Sequence, residues 1–593
     1  MPAFEVRGRV RVLARAILAL ALILPGAAAA PPATRAASVI RTGCLGPPNA
    51  VAVADALLAN NYQLASHPTV TLPTNPTWGE NPFHDKNWLF NYHSLRFVLA
   101  LTTAWVETGE AKYADRAAFL LADWYRDNPR MSPPSTFSWD EHSTAFRAMV
   151  YVCAAELLPP HSWTMDALLL HGRTLADSAF YRGEGNHALN QNIGLLEVGC
   201  RLHRSDWISL ADDRTSRLVV QSVDADGATN EQSVFYELYN YNRYRYAMTR
   251  LAECGRTPGS EYDRIDRMPL FLAHATLPNG NYSPLGDTQA APATVITGTP
   301  AAFAATKGAS GPKPSSTSHV YTAGFAFVRT GWGEKRPFAD ETMLTMRFGP
   351  ARRFHGHEDG TSITLYGYGR PLLLDGGQYS IIDSPFRRYF AGRTGHNVVT
   401  TDGLAATPGP VRLRWSRSSS TMLEVDTSWT PYAGVTGDRR VTFSRRLGYV
   451  VVDDRMTSTT GRTFRQLWHL REGTRPTIDG ARVTTHATRG NLVIVQVLPA
   501  SATRMISGAT SPIQGWISYR QGVRLAAPVV ESRRWGTSVR FLTLLVPSAT
   551  SPRSVAVTRV TLRPGGYTLT VTIGGRSERV TAGTTSSSIV VTP

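Results

Sequence analysis

Along the first half of the chain, apolar side chains recur at helical intervals. Tyr113, Ala117, Leu120, Leu121 and Trp124 fall at i, i+4, i+7, i+8 and i+11, one face of a helix. Asn128-Pro129 ends it, because the residue before a proline avoids the α region. A preceding helix carries Leu95, Val98, Leu99, Thr102 and Val106, with Gly109 just past its end. This pattern runs from about residue 48 to 275 with short connectors and almost no alternation. Helical hairpins in series suit a solenoid or a closed helical toroid, although no clean repeat motif is visible.

Residues 307–318 are a Gly/Pro/Ser stretch, after which the period changes to two. Thr342 to Phe348, Ser554 to Leu562 and Tyr567 to Ile573 alternate apolar with polar or small residues, as half-buried strands do. Many such segments predict stacked antiparallel sheets. The chain therefore reads as a multi-domain α+β protein. A helical domain spans residues 40–305, a linker 306–318, and an antiparallel β-sandwich 319–593, in which a separate small β-unit from about residue 510 is an option.

The 593 residues exceed one hydrophobic core, and 42% hydrophobic content is that of a folded chain. Residues 1–30 read as a secretory signal. Arg7, Arg9, Arg11 and Arg15 precede the apolar run Ile17 to Leu24, Pro25-Gly26 breaks it, and Ala27 to Ala30 offer small residues for cleavage. The run is too short for a mature membrane span, and none of about 18 apolar residues follows. A secreted, extracellular protein is expected, with no membrane partner after cleavage. The formal charge is +17, and +14 without the signal, which carries four arginines and one glutamate. Such a charge attracts polyanions. No nucleic-acid module is recognisable, so an anionic polysaccharide suits export better; an ordinary solvated basic surface is the plain alternative. Cys44, Cys153, Cys200 and Cys254 lack zinc-type spacing, leaving free thiols or one or two disulfides open.

Chemistry concentrates in a few places. Phe354-His355-Gly356-His357-Glu358-Asp359-Gly360-Thr361-Ser362 places imidazoles and carboxylates in strand-like sequence, where burial without partners is costly. Leu374-Asp375-Gly376-Gly377 and Gly395-His396-Asn397 follow. Upstream, Asn186-His187-Ala188-Leu189-Asn190-Gln191-Asn192 opens an apolar helix, and capping explains only the first asparagine. Glu231-Gln232-Ser233-Val234-Phe235-Tyr236 opens another. Trp78, Asn81, Trp88, Trp139, His142 and Arg147 are candidates to line a sugar cleft, since indoles suit sugar faces and guanidiniums suit carboxylates; taken individually, each suits packing better. Asn190, Tyr239, Asn242, Arg243, Arg387, Arg388 and Arg393 are further candidates for contact with an anionic substrate or for support of Tyr236.

Taken in order, these pieces resemble the heparinase II/III-like polysaccharide lyases. Asn186-His187 precedes a Gly-Leu-Leu helix; Glu231-Gln232-Ser233-x-x-Tyr236 and Gly286-Asp287 follow. Then come His355-x-His357-x-Asp359-x-x-Ser362, Asp375-x-Gly377-x-Tyr379 and His396-Asn397 before Asp402-Gly403, spread over about residues 78–470. Thr361 departs from the family's usual leucine. The resemblance implies an (α/α) toroid followed by stacked antiparallel sheets, with β-elimination at a uronic acid between them. Asn186 and His187 would neutralise the uronate carboxylate and stabilise the enolate-like intermediate. Tyr236 would act as base and acid, its phenol of pKa about 10 lowered by positive charge, and His355 as second base or tuner. The resemblance also places one structural divalent metal, zinc by donor type, on His357, Asp375 and His396. A hydrogen-bonded network without metal is the alternative, and Asp359 is expected to orient a strand histidine.

Two rivals remain at this level. A glycoside hydrolase of (α/α)-barrel form needs two carboxylic acids flanking the bond, and no such pair stands out. A non-catalytic glycan-binding protein would have no need of Tyr236, His355 and Asn186-His187 together. The polymer itself (glycosaminoglycan, alginate or bacterial glucuronate chain) and the oligomeric state are not legible.

Overall fold

The computed structural model describes residues 40–380, 382–550 and 554–592. The signal segment, residues 1–30, lies outside them. Helices occupy the first part and antiparallel sheets the second. Among the described residues, no helix is long and apolar enough to cross a membrane.

The helices differ in how much of their surface they bury. The Ala111–Asp127 helix is amphipathic: Tyr113, Ala117, Leu120, Leu121 and Trp124 are buried while Lys112 and Asp115 face out. The helix before it is shorter than its apolar spacing predicts. It runs Val98–Thr108, and Leu95 lies outside it with φ at 55°. Gly109 closes that helix in the left-handed region, φ 73°, which costs glycine nothing. Glu141–Leu157 and Gly185–Arg201, in contrast, are buried on nearly every side. They pack closely because residue 194 is glycine; a Cβ there would stand 2.8 Å from the Ala145 carbonyl oxygen.

Two disulfides settle the cysteine question. Cys44–Cys153 fastens the start of the described chain to the Glu141–Leu157 helix. Cys200–Cys254 joins the C-terminal ends of Gly185–Arg201 and Val234–Glu253.

The last helix of the helical part, Pro300–Ala305, is followed by turns, and the first strand of the β part begins at Ser318. Five strands, Ser318–Tyr321 to Arg370–Leu373, form an antiparallel meander. Strand alternation gives it two apolar faces. Phe325, Phe327 and Met343 pack against Phe271, Leu272 and Ala275 of the helical part. Ala326, Val328, Leu344 and Met346 pack against a ten-stranded sheet. The other face of that larger sheet, with Tyr449, Val451, Leu542 and Leu544, covers a four-stranded meander from Val555 to Thr592. The separate β-unit therefore starts at 555 rather than near 510. Val529–Ser548 belongs inside the large sheet, paired along most of its length with Val450–His469. Its apolar side chains face both neighbouring layers, which marks it as an interior strand.

Candidate active site and metal centre

Three chain segments meet where the helical part faces the sheets. Asn186 and His187 sit in the first turn of Gly185–Arg201, Tyr236 in the first turn of Val234–Glu253, and His355 on the loop between two strands of the five-stranded sheet. Gly286 lets them approach. With φ at 60° it brings the chain so near that a Cβ would stand 2.4 Å from the Gln232 carbonyl oxygen and 2.8 Å from that of His355. The next amide, Asp287 N–H, donates to the His355 carbonyl at 2.8 Å. Gln232 ties the same loop by donating to the Ala351 carbonyl at 3.0 Å and accepting from the Arg353 amide at 2.9 Å.

The imidazole of His355 stacks on the Tyr236 ring, 3.3 Å between centroids and 4° between planes. Its Nδ1 lies 3.5 Å from Asp287 Oδ2, and its Nε2 lies 3.4 Å from Asn186 Nδ2. One tautomer satisfies both neighbours: Nδ1–H faces the carboxylate and Nε2 accepts from the amide. Asn186 is held by Glu231, whose Oε1 accepts from the Asn186 backbone N–H at 2.8 Å and from its side-chain amide at 3.3 Å. His187 pairs with Glu141 Oε1 at 3.2 Å and stacks on His142 at 3.9 Å. That contact with His187 holds the Glu141 carboxyl down at about 2. Asn190, one turn further along, donates to Tyr239 Oη at 2.9 Å and accepts from Arg243 Nε at 2.7 Å.

Asp287 is the hub of the site. Arg387 grips it with two nitrogens, at 2.5 and 3.0 Å, and His357 Nε2 lies 3.0 Å from it. Burial alone would raise its carboxyl, but His355, His357 and Arg387 together hold it well below the usual range. The field at Tyr236 differs from the expected one. Burial pushes the hydroxyl well above 10, and Asp287 and Glu231 add to this; Arg387 offsets only part. The phenol is therefore protonated at rest.

His357, Asp375 and His396 converge, with one donor atom from each lying within 4.8 Å of the others and all three residues buried. His396 Nδ1 lies 2.9 Å from Asp375 Oδ2, and His357 Nδ1 lies 4.0 Å from Asp375 Oδ1. His357 Nδ1 and His396 Nε2 are buried without a hydrogen-bond partner. Such atoms are costly unless something binds them. With His357 Nε2 held by Asp287, the ring presents Nδ1 as a free donor, the carboxylate–imidazole arrangement common behind metal ligands. The residues present thus fit a divalent ion.

Several sequence candidates lie elsewhere. Trp78 is fully buried and donates from Nε1 to Asp123 at 2.9 Å. Arg147 is fully buried beneath Trp124, its Nε donating to His171 Nε2 at 2.9 Å, and burial lowers its pKa to about 9. Trp139 packs on Trp124 and His171 in that same cluster. Arg393 is buried against the Gly360 and Val399 carbonyls. Trp78, Arg147 and Arg393 are thus taken up in packing, whereas Trp139 is half-buried. Asp359 faces Arg347 at 3.4 Å instead of a histidine. Arg96, Glu141 and Arg387's grip on Asp287 escaped the sequence reading. Glu231 and Asp287 stood inside quoted motifs, but nothing in the sequence told that they flank His355.

Two family models match the chain, Heparinase II/III N-terminus over residues 47–304 and Heparinase II/III-like, C-terminal over residues 314–529. The chain belongs to the heparinase II/III-like polysaccharide lyase family. No curated protein sequence matches it significantly. Among solved structures it is similar to heparinase III, with 17% identity, a TM-score of 0.78 and coverage of 92% of this chain and 94% of that one. It is also similar to heparan sulfate lyase HepC from Pedobacter heparinus, with 19% identity, TM-score 0.70 and coverage of 92% and 89%. Chondroitin AC lyase from Streptomyces coelicolor A3, in complex with chondroitin sulphate, aligns with 12% identity, TM-score 0.53 and 90% of each chain. At these identities the likeness concerns the fold of the heparinase-like chain, helical toroid first and sheets after.

Proposed function

We propose that this protein is a secreted polysaccharide lyase that cleaves a uronate-containing glycosaminoglycan by β-elimination. One observation carries the reading: the Tyr236 ring, the His355 imidazole and the Asn186 amide, from three distant segments, stand in direct contact at the junction of the two parts. The solved relatives named for heparan sulfate and chondroitin support the substrate class. The signal-like leader and two disulfides support export.

The chemistry follows from the contacts. Asn186 and His187 receive the uronate carboxylate and stabilise the charge that develops when C5 loses its proton. His355 Nε2, whose tautomer Asp287 sets, takes that proton. The electron pair moves into the C4–C5 bond, the C4–O bond breaks, and the departing oxygen takes the proton of the neutral Tyr236 hydroxyl. The stacking of the two rings places the base and the acid next to one another. His357, Asp375 and His396 would hold a divalent ion, zinc by donor type, which would fix the strands behind His355.

A panel of uronate polymers tests this, read by the ultraviolet absorbance of the unsaturated uronate product. Absorbing ends with wild type, forming at least about a hundredfold more slowly with Tyr236→Phe, are expected. Reducing ends without that absorbance would instead mean hydrolysis, with Glu231 and Asp287 beside His355 as its carboxyl pair.

A further inference from the structure

Arginines at the junction mostly have a carboxylate: Arg353 pairs with Glu184 at 2.5 Å and Arg387 with Asp287. Two in the helical wall have none among the described residues. Arg96 donates to Asn91 Oδ1 at 2.8 Å and to Ser94 Oγ at 3.4 Å. Arg243 donates to Asn190 Oδ1 at 2.7 Å and faces Met149 Sδ at 3.6 Å. Both guanidiniums lie on the Phe146 ring, at 4.4 and 5.4 Å from its centroid.

Among the described residues, their surroundings offer no free counter-charge. His142 lies between this place and the elimination site: it stacks on Phe90 at 4.6 Å, on His187 at 3.9 Å, and contacts Asn190 at 2.9 Å. Burial, together with His187, Arg96 and Arg243, keeps His142 neutral. Glu141 is engaged by His187, and Glu197 by Arg41 and Arg250. Two half-buried like charges without a counter-ion are an unfavourable arrangement, and burial lowers the pKa of each. The backbone shares in that cost. Leu95, immediately before Arg96, is held at φ 55°, a left-handed conformation that a bulky side chain disfavours. Arg243 meets Asn190, one helical turn beyond Asn186, so the pair lies beside the elimination site rather than in it.

The geometry points to Arg96 and Arg243 as a subsite for a second oxyanion, a sulfate ester or another carboxylate, on the sugar next to the uronate that is cleaved. The inference rests on the lyase reading. It narrows the substrate to chains in which the neighbouring sugar is itself anionic.

Three polymers separate the possibilities: heparan sulfate, with sulfated neighbours; alginate, in which every sugar is a uronate; and heparosan, in which uronate alternates with an uncharged amino sugar. Arg96→Gln should lower kcat/KM on heparan sulfate or alginate about tenfold more than on heparosan, through KM, with recovery in Arg96→Lys. Which of the two suffers distinguishes sulfate from carboxylate. Equal loss on all three, or none, overturns the subsite. A second measurement does not depend on turnover. Oligosaccharides of heparan sulfate, alginate and heparosan are titrated onto Tyr236→Phe protein with and without Arg96→Gln, and the preference for the anionic neighbour should vanish in the double variant. Arg96-dependent preference in a protein that cleaves none of the polymers would keep the subsite and reject the lyase reading. Cleavage with binding that ignores the neighbouring charge would do the reverse.

Discussion

The two walls of the junction handle charge in opposite ways. On the sheet side, the arginines that frame the site are gripped by carboxylates: Arg439 holds Asp454 with two nitrogens at 2.6 and 2.8 Å and also holds the Thr361 and Asn397 carbonyls. Arg387 does the same for Asp287. On the helical side, Arg96 and Arg243 meet only neutral acceptors among the described residues. Buried, fully paired charges fix geometry, whereas unpaired ones raise the free energy of the empty site and await a ligand. On the proposed reading, the sheet wall is the frame that aims His355, and the helical wall is the surface that would read the sugar.

The sharpest break of this division is at the atom that moves the proton. Tyr236→Phe should lower kcat by about 10²–10⁴ with an unchanged melting curve, the range for loss of a general acid. On the frame, Arg439→Met leaves Asp454 buried and unpaired and should cost about 3–5 kcal/mol in denaturant unfolding. A loss below about 1 kcal/mol would mean that the sheet wall is not rigid by this means. Chelation should lower the melting temperature, zinc should restore it, and His357→Ala should abolish the response. An ion at about 100 times its Kd contributes about 2.7 kcal/mol. An unchanged melting curve and no stoichiometric metal by elemental analysis would leave His357, Asp375 and His396 as a hydrogen-bonded network. On the helical wall, Arg96→Gln should leave stability within about 1 kcal/mol of wild type or raise it, since it removes one of two like charges. The smallest effect concerns pH. Glu141 is depressed from 4.5 to about 2 when folded, so its contribution is complete above 4.5 and is lost as pH falls through 2. Glu141→Gln should flatten stability against pH in that window only; an unaltered slope would detach Glu141 from His187.

What could be read from the sequence was what local order carries. Tyr113 to Trp124 gave a helix face, alternation gave strands, and the ordered motifs placed Asn186, Tyr236 and His355 in one site. What failed was direction. Trp78 and Arg147 have the right side chains for a sugar cleft, but helical spacing does not say which face of a ring of helices points to its opening. Both instead fill the packing between helices, Trp78 against Asp123 and Arg147 against His171. The field at Tyr236 was misjudged for a related reason. Its sign depends on Asp287, 51 positions away, and on how far Arg387 neutralises it, quantities that exist only after folding. Arg96 carried no local mark beyond its charge, because what distinguishes it is the missing partner.

The bridge between Cys200 and Cys254 has a mechanical consequence. Both helices that carry the reacting groups are tied at their C-terminal ends, while Asn186, His187 and Tyr236 stand at their N-terminal ends. Each helix is then a lever pivoted at the sulfur link. Gly185–Arg201 has 17 residues, a length of about 25 Å, so a splay of about 2° displaces its tip by about 1 Å. A misplacement of that size can cost about 10²-fold in rate. Any loosening at the pivot is thus magnified along the arm, and a half-buried covalent link at the far end of both helices sets the angular tolerance at Asn186, His187 and Tyr236.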